Sequence, residues 1–562
     1  MPHTRSSRWL PKSVLALRHY NLATLGHDTL AGVTVGLVAL PLAMAFAIAS
    51  GLPPQSGIYC AIVTGFIISA LGGSNVQIGG PTGAFVVVVA GIVATYGTLG
   101  LFMCTMMAGV MLVVAGLTGT GTAVRFIPRP VVVGFTNGIA VLIASTQIRD
   151  FLGLSIPEKT SEFLPRIRAI IDHIGTITPE AAALATSVVV IALLVNRLTK
   201  RVPGTVAGLV VGGLAAWMLQ LPIETVGSRF GGIPAGLPAL QIPQFKAAYM
   251  LSLLSPALTI AILGAIESLM SAVVADRMSG DRHNPNVELI AQGIANIASP
   301  LFGGLPATGA IARTATNIRS GGRTPIAGIV HALTLFIILI ALAPVASHVP
   351  MAVLAGLLMV VARNMGEWSE IPVILRQTKT DVAVWFISFM LTVFADLTVA
   401  VEVGMILAAL LYIRRVSNTT TVSRVTTDYV NEGRLHSLQD KQIPDYSTIF
   451  RIHGPLLFGS TDKLHRITDR LFELPEIIIF RLRNMPAIDA TGLLALEDAA
   501  RDITASGRHV LFCGARSQPA AVMRRASFAE HVGPQNVLPN IARALERAAE
   551  IHAGLSTQAG AR

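Results

Sequence analysis

The sequence predicts an α-helical polytopic membrane protein of fourteen transmembrane segments, built as two inverted seven-helix repeats and followed by a small cytoplasmic α/β domain. Three observations carry that prediction. Hydrophobic residues make up 52% of the 562-residue chain and charged residues 13%, with a mean hydropathy of +0.64, outside the range of soluble domains. The charge is uneven, since about a quarter of the residues from Arg414 onward are Asp, Glu, Lys or Arg against about a tenth before it. Finally, a Gly/Pro-broken motif occurs twice, about seven spans apart.

The elements follow in order. Arg5, Arg8, Lys12 and Arg18 precede the first apolar run, and Arg414 and Arg415 follow the last. Cationic residues beside apolar runs mark the cytoplasmic side, so both termini are expected there and the number of spans is even. The net charge of +11 is explained in the same way, without nucleic acid as a partner. No apolar run with a small-residue cleavage site opens the chain, so no removable signal peptide is expected. Thirteen runs approach the roughly 17–25 residues of a spanning helix. They lie at 29–50, 55–72, 81–96, 99–119, 129–147, 179–198, 203–219, 249–275, 286–302, 324–345, 348–364, 380–396 and 397–413. Residues 310–320, short and carrying Arg313 and Arg319, supply the fourteenth. The expected division is a cytoplasmic segment 1–28, a transporter domain 29–415 with repeats near 29–220 and 249–415, a linker 416–440, an α/β domain 441–555 and a tail 556–562.

The third segment opens on Gly79-Gly80-Pro81-Thr82-Gly83-Ala84 and the tenth on Gly303-Gly304-Leu305-Pro306-Ala307-Thr308-Gly309-Ala310. An odd number of spans per repeat inverts the second copy, and interrupted segments at matching positions of inverted halves mark a transporter's midplane site. Helix starts at Thr82, Gly83, Ala84 and Phe85 and at Ile311, Ala312, Arg313 and Thr314 would turn free N–H groups and partial positive charge toward one another. Arg313 adds a guanidinium that costs at least a few kcal/mol at the bilayer centre unless something negative offsets it. Together they describe a site for a small anion. The alternative is a permanent bridge from Arg313 to an internal carboxylate.

Glu267 interrupts the apolar helix Ile262-Leu263-Gly264-Ala265-Ile266-Glu267-Ser268-Leu269-Met270. Low dielectric favours an uncharged carboxyl, so Glu267 reads as a proton carrier or, alternatively, as the structural partner of Arg313. Asp396 and Glu402 read as interface or helix-terminus groups, and Asn137, Gln147 and His331 as interhelical hydrogen-bond partners. Cys60, Cys104 and Cys513 are too scattered for a disulfide framework or a metal site and read as small apolar fillers. Phosphate loops, zinc patterns and nucleophile elbows are absent, so neither an enzyme nor an ATP-driven pump is expected, and no metal or other cofactor; an ion or substrate gradient supplies the energy.

In the tail, Ile449-Phe450-Arg451-Ile452-His453, Ile477-Ile478-Ile479-Phe480-Arg481-Leu482 and His509-Val510-Leu511-Phe512-Cys513 read as strands. Amphipathic stretches near 462–472, 491–506, 518–525 and 541–551 alternate with them, which makes a mainly parallel sheet covered by helices. Asp489-Ala490-Thr491-Gly492-Leu493 falls at a strand-to-helix turn, where Asp489 can cap the helix and Thr491 can serve as a regulatory phosphoacceptor.

Taken together, Ala39-Leu40-Pro41-Leu42-Ala43-Met44-Ala45-Phe46-Ala47, Gly51-Leu52-Pro53-Pro54-Gln55-Ser56-Gly57-Ile58-Tyr59, the Gly79 motif, the Glu267 segment, residues 306–313 and the Asp489 loop resemble the SulP family of anion permeases with a C-terminal STAS domain. The likeness covers nearly the whole chain. It implies a membrane domain divided into core and gate, with substrate between the third and tenth half-helices, here residues 82–85 and 311–313. It also implies a homodimer in a bacterial inner membrane, and a cytoplasmic STAS domain open to a regulatory partner. A Glu at 267 implies proton symport in preference to sodium coupling. Pro41-Leu42, where many sulfate permeases have Pro-Gln, is similar to members associated with dicarboxylates. The expected function is therefore proton-coupled uptake of a dicarboxylate such as succinate or fumarate, or of sulfate or bicarbonate, by alternating access. A nucleobase permease of the same fold would leave Arg313 without a charge to meet. A membrane-anchored STAS module would have no use for broken helices at membrane depth.

Overall fold

Proline decides where many of the helices begin. Pro54, Pro130, Pro179 and Pro285 each stand in a first turn, where the missing N–H is no loss and φ is already helical. The computed structural model describes residues 9–18, 20–120, 128–157, 162–199, 203–238, 240, 250–395, 397–425, 443–468 and 470–560. Arg5, Arg8, Asp396, the side chain of Glu402 and most of the expected linker lie outside the described residues. The chain divides into two units, at Ala408 and Ala409.

The first unit is helical. Its first half holds α1 (Lys12–Leu17), α2 (Leu22–Ala49), α3 (Pro54–Leu71), β1 (Gly79–Gly80), α4 (Gly83–Leu117), α5 (Arg129–Leu152), α6 (Phe163–Asp172), α7 (Pro179–Leu198), α8 (Gly204–Met218) and α9 (Val226–Phe230). The second holds α10 (Leu254–Ser279), α11 (Pro285–Ala298), β2 (Thr308–Gly309), α12 (Ile311–Arg319), α13 (Ile326–Ser347), α14 (Met351–Met365), α15 (Ile371–Leu375), α16 (Lys379–Phe394) and α17 (Leu397–Thr419), whose end enters the second unit. Gly97 (φ 70°, ψ −177°) breaks α4 where the third and fourth apolar runs meet. With its halves counted separately, α12 kept as the helix that continues the interrupted segment from β2, and α1, α6, α9 and α15 set aside as short connecting helices, seven segments precede residue 250 and seven follow it, fourteen among the described residues.

The repeat shows in the packing, because the main contacts between the two halves recur with the halves exchanged. α11 and α10 pack on α4 as α3 and α2 pack on α13, and α14 packs on α7 as α5 packs on α16. Two groups result: a core of α2–α4 and α10–α13, and a gate of α5, α7, α8, α14 and α16. Leu194, Val211, Leu214, Leu333, Ile337 and Ile340 stay exposed on the outside, the surface that lipid covers in a multi-pass membrane protein.

Small residues let these helices approach. A Cβ on Gly109 of α4 would lie 2.7 Å from the Gly293 carbonyl of α11, and one on Gly293 would lie 2.5 Å from the Gly109 carbonyl, a reciprocal contact only glycine permits.

The second unit carries the α/β domain: β3 (Thr421–Arg424), β4 (Ser447–His453), α18 (Asp462–Thr468), β5 (Ile477–Asn484), α19 (Ala490–Ala505), β6 (His509–Cys513), α20 (Ser517–Arg525), α21 (Phe528–Val532), β7 (Val537–Leu538) and α22 (Ile541–Gly560). The sheet runs β3-β4-β5-β6-β7, parallel except for β3 on its edge. Alternation along β5 sends Ile478, Phe480 and Leu482 toward Leu496, Ile503 and Phe528, and Ile477 and Ile479 toward Ile541, Ala544 and Ala548 of α22. The three expected strands and the four helices are present. β3 and β7, of four and two residues, had no alternation long enough to read.

Gly57 of α3 gives a direct test of the packing, since a Cβ there would lie 1.9 Å from the Ala43 carbonyl of α2. Overpacking costs about 1–3 kcal/mol. Gly57→Ala is therefore expected to lower the melting temperature of the detergent-purified protein by several degrees, whereas Gly91→Ala, with nothing within 4 Å, leaves it unchanged.

Candidate anion site

Backbone that leaves its helix at membrane depth must find hydrogen bonds inside the protein. Residues 72–82 and 303–310 are two such stretches, and they partly satisfy each other. Gly79 and Gly80 pair antiparallel with Gly309 and Thr308, and Ala310 N donates to the Ile78 carbonyl at 2.8 Å.

Side chains supply much of the rest. Ser268 Oγ on α10 accepts from Gly309 N at 3.2 Å and lies 2.6 Å from Thr308 Oγ1, which donates to the Gly264 carbonyl at 3.1 Å. Thr314 Oγ1 accepts from Ile78 N at 3.1 Å, and Asn317 Nδ2 donates to the Val76 carbonyl at 2.8 Å. Asn296 holds both the N–H and the carbonyl of Ala307 at 2.8 Å. Glu288, fully buried on α11, accepts from Gly73 N and Gln292 Nε2, each at 2.9 Å. Cys60 Sγ donates to the Leu305 carbonyl at 3.2 Å, which corrects its reading as an apolar filler.

This crossing brings two helix starts together. Thr82 and Ala310 are the N-caps of α4 and α12, and neither side chain caps its own helix. First-turn amides at Gly83 and Ala84 and at Ile311 and Ala312 are thus left without a capping side chain among the described residues. Thr82 Oγ1 instead donates to Glu267 Oε2 at 2.8 Å. A Cβ on Gly83 would come within 3.1–3.4 Å of Ile143 on α5, Met365 on α14 and Phe46 on α2, so the start of α4 faces the boundary between core and gate. Phe85 and Thr314 are buried and Ile311 and Ala312 are exposed.

Arg313 is only 3% exposed. Its Nη2 donates to the Pro81 carbonyl, and Nη1 has no partner among the described residues. Gly80 makes room for it: φ is 150°, and a Cβ there would lie 2.3 Å from Nη1. Among the described residues no carboxylate forms an ion pair with Arg313, and Glu267 is bonded to Thr82. The permanent Arg313–Glu267 bridge allowed by the sequence is not formed.

Asn137 does bond between helices, donating to the Gly366 carbonyl and accepting from Trp385 Nε1 at 2.9 Å. Gln147 bonds instead to Thr146 of its own helix, and the His331 ring meets the Gly328 carbonyl of its own helix rather than a group on a neighbouring one. In the second unit Asp489 caps α19 through Gly492 N at 2.7 Å and accepts from Phe458 N at 3.0 Å, with Thr491 exposed beside it.

Sequence reading missed two acids. Asp28, fully buried in α2, accepts from Tyr20, Arg323 N and the Thr324 N–H and hydroxyl at 2.5–3.2 Å. Burial, with the Asp28 charge beside it, pushes the Tyr20 phenol up to about 12. The other is Glu288. Both were open to the signal that exposed Glu267, a single acid in an apolar stretch. A cavity of about 620 Å³ among Arg149, Asp150, His173, Glu224 and Arg229 contains none of the expected site residues; we give it no part in the site, because both carboxylates already engage Arg229.

Two inverted bundles that meet at paired half-helices define a secondary-transporter fold. The chain belongs to the Sulfate permease family, whose family model matches residues 25–388, and a STAS domain matches residues 437–548. It is thus an anion permease of the membrane rather than an enzyme. It is 41% identical over 520 residues to the putative sulfate transporter YvdB of Bacillus subtilis (strain 168), covering 92% of this chain and 96% of that one. It is 30% identical over 539 residues to the bicarbonate transporter BicA of Picosynechococcus sp., covering 93% and 94%. The structure of SLC26A9 superposes with a TM-score of 0.84 over 97% of this chain and 93% of that one; at 18% identity it supports the fold alone.

An Arg313 without a carboxylate partner strands no negative charge when it is removed. Arg313→Ala is therefore expected to leave the ligand-free melting temperature unchanged or raised. A marked fall, read by thermal shift on purified protein, would reveal an internal carboxylate that depends on it.

Proposed function

We propose that the protein imports small anions with protons by alternating access, favouring dicarboxylates of succinate or fumarate size ahead of sulfate and bicarbonate. The observation that carries this reading is the buried Arg313 guanidinium, with no carboxylate partner among the described residues, beside two helix starts that lack side-chain caps, that of α4 at the core–gate boundary. Residues 82–85 and 311–314 bind the anion in this reading, their amides meeting it as helix N-termini meet phosphates and carboxylates. The names of the relatives support sulfate and bicarbonate, and Pro41-Leu42 supports dicarboxylates.

Glu267 is the proton carrier. Its carboxylate accepts the hydroxyl of Thr82, the N-cap residue of α4, so gain or loss of its proton changes the hydrogen bond at the edge of the anion site. Both termini face the cytoplasm of a bacterial inner membrane. The segment order supports this, because Arg197, Arg277, Arg319, Arg363 and Lys379 fall at helix ends on the same side as Lys12. The family resemblance adds a homodimer and a STAS domain that regulates transport through a cytoplasmic partner, with exposed Thr491 as its phosphoacceptor.

Uptake of labelled succinate, sulfate and bicarbonate into proteoliposomes, with and without an imposed pH gradient, tests the proposal. Glu267→Gln keeps size and hydrogen-bonding capacity but carries no proton. It is expected to abolish stimulation by external acid while retaining anion binding, and intact stimulation would remove Glu267 from coupling. Arg313→Ala is expected to weaken anion affinity by about 2–5 kcal/mol, the range for truncating one member of a buried charge pair. Arg313→Lys, which keeps the charge without the bidentate fork, should fall between.

A further inference from the structure

Behind the β1–β2 pair, polar groups from three helices are buried together: Arg313 Nη1, without a partner among the described residues; the His331 ring, which the Gly328 carbonyl of its own helix engages; and Ser69 Oγ, likewise without a partner among the described residues. Their residues are 3%, 0% and 2% exposed. Glycines show how closely they gather. A Cβ on Gly65 of α3 would lie 3.2 Å from His331 Nδ1 and 3.4 Å from the Gly79 carbonyl of β1; one on Gly328 of α13 would lie 2.0 Å from Ser69 Oγ; one on Gly80 of β1 would lie 2.3 Å from Arg313 Nη1. Gly65 and Ser69 are one turn apart on α3, and Gly328 and His331 are one turn apart on α13. The two helices therefore meet along a glycine seam whose polar members back onto the strand that Arg313 reaches from α12.

The groups are complementary. A guanidinium only donates, an uncharged imidazole offers one nitrogen lone pair and one N–H, and a serine hydroxyl does both. Buried polar groups that do not bond directly are commonly bridged by internal water, which needs two to four polar partners. We propose that His331 is a positioning residue for Arg313, its ring nitrogen receiving the free Nη1 through buried water that Ser69 also holds. Nη2 is fixed on the Pro81 carbonyl, so this second anchor sets both ends of the guanidinium and with them its distance from the amides of α4 and α12. His331 touches no transported anion in this arrangement. The inference rests on Arg313 belonging to the anion site.

The test is a double-mutant cycle on the full-length protein in proteoliposomes, with labelled succinate and labelled sulfate as probes. His331→Leu is expected to raise KM about tenfold with kcat changed less than twofold, about 1.4 kcal/mol at the binding step. His331→Gln, which restores an acceptor, should return KM to within threefold of the parent. In an Arg313→Lys background the same His331→Leu change should have little further effect, because the geometry it protects is already lost. An unchanged KM in His331→Leu overturns the inference. So does a full tenfold loss on top of Arg313→Lys, or a His331→Gln protein as weak as His331→Leu. If His331→Leu yields no folded protein, His331→Met takes its place under the same criteria. Arg313→Lys and Arg313→Ala proteins with parental KM overturn the anion-site reading itself, and this inference with it; coupling failure with Arg313 still required overturns this inference alone.

Discussion

A peptide group that leaves its helix within hydrocarbon has no water to bond to, and this chain places two such interruptions opposite each other. The four-residue pairing of Gly79 and Gly80 with Gly309 and Thr308 is small in area, yet the rest of the membrane unit is arranged around it. It requires residues without bulk at the crossing, because a Cβ at Gly79 would strike Ile68 and one at Gly309 would strike Gln77. It requires hydroxyls and amides at Ser268, Thr314, Asn317 and Asn296, each spent on main-chain atoms. In return it leaves the first turns of α4 and α12 uncapped by their own N-cap side chains. Structure and chemistry here are one problem, since the backbone groups left over after the crossing is built are those an anion can use.

Much of this was legible from the amino acids. The Gly/Pro-rich motif at residue 79 and its counterpart at residue 303 located the crossing, and an even span count forced attention onto the short segment with Arg313. Glu267 announced itself by interrupting an apolar helix. Partners were not legible, because partners are set by tertiary geometry. A bridge between Glu267 and Arg313 is the alternative that the sequence leaves open beside the anion site and the proton carrier, whereas the structure gives each a neutral partner, Thr82 and the Pro81 carbonyl. Glu288 and Asp28 carry the same signal, a single acid in or at the margin of an apolar run, but nothing in that signal names a partner. Both turn out to bind main-chain N–H groups of distant loops. Cys60 was read by its usual preference for burial, and only its place beside Leu305 shows the thiol acting as a donor.

The α/β domain illustrates the same division. Ile477 to Leu482 is hydrophobic at every other position and at the intervening ones too, apart from Arg481, which is what a central parallel strand covered on both faces requires. Its two sets of neighbours, Phe528 with α19 on one side and α22 on the other, follow from that pattern. The edge strands carry no such pattern. Asp489 was identified as a cap from its position alone, but its second bond, to Phe458 N, joins a loop thirty-one residues away and could come only from the fold.

The glycine contacts between the two halves also bear on how the sequence can change over time. Gly109 of α4 and Gly293 of α11 each leave no room for a side chain on the other, and at the crossing the Arg313 guanidinium fills the space that a side chain on Gly80 would need. These pairs join positions from opposite halves of the chain. At these points a substitution in one half alters what the other half can tolerate. Variation at these contacts should accordingly arrive in matched pairs, and two halves taken from different ancestors would fit each other worst where the molecule has the fewest atoms.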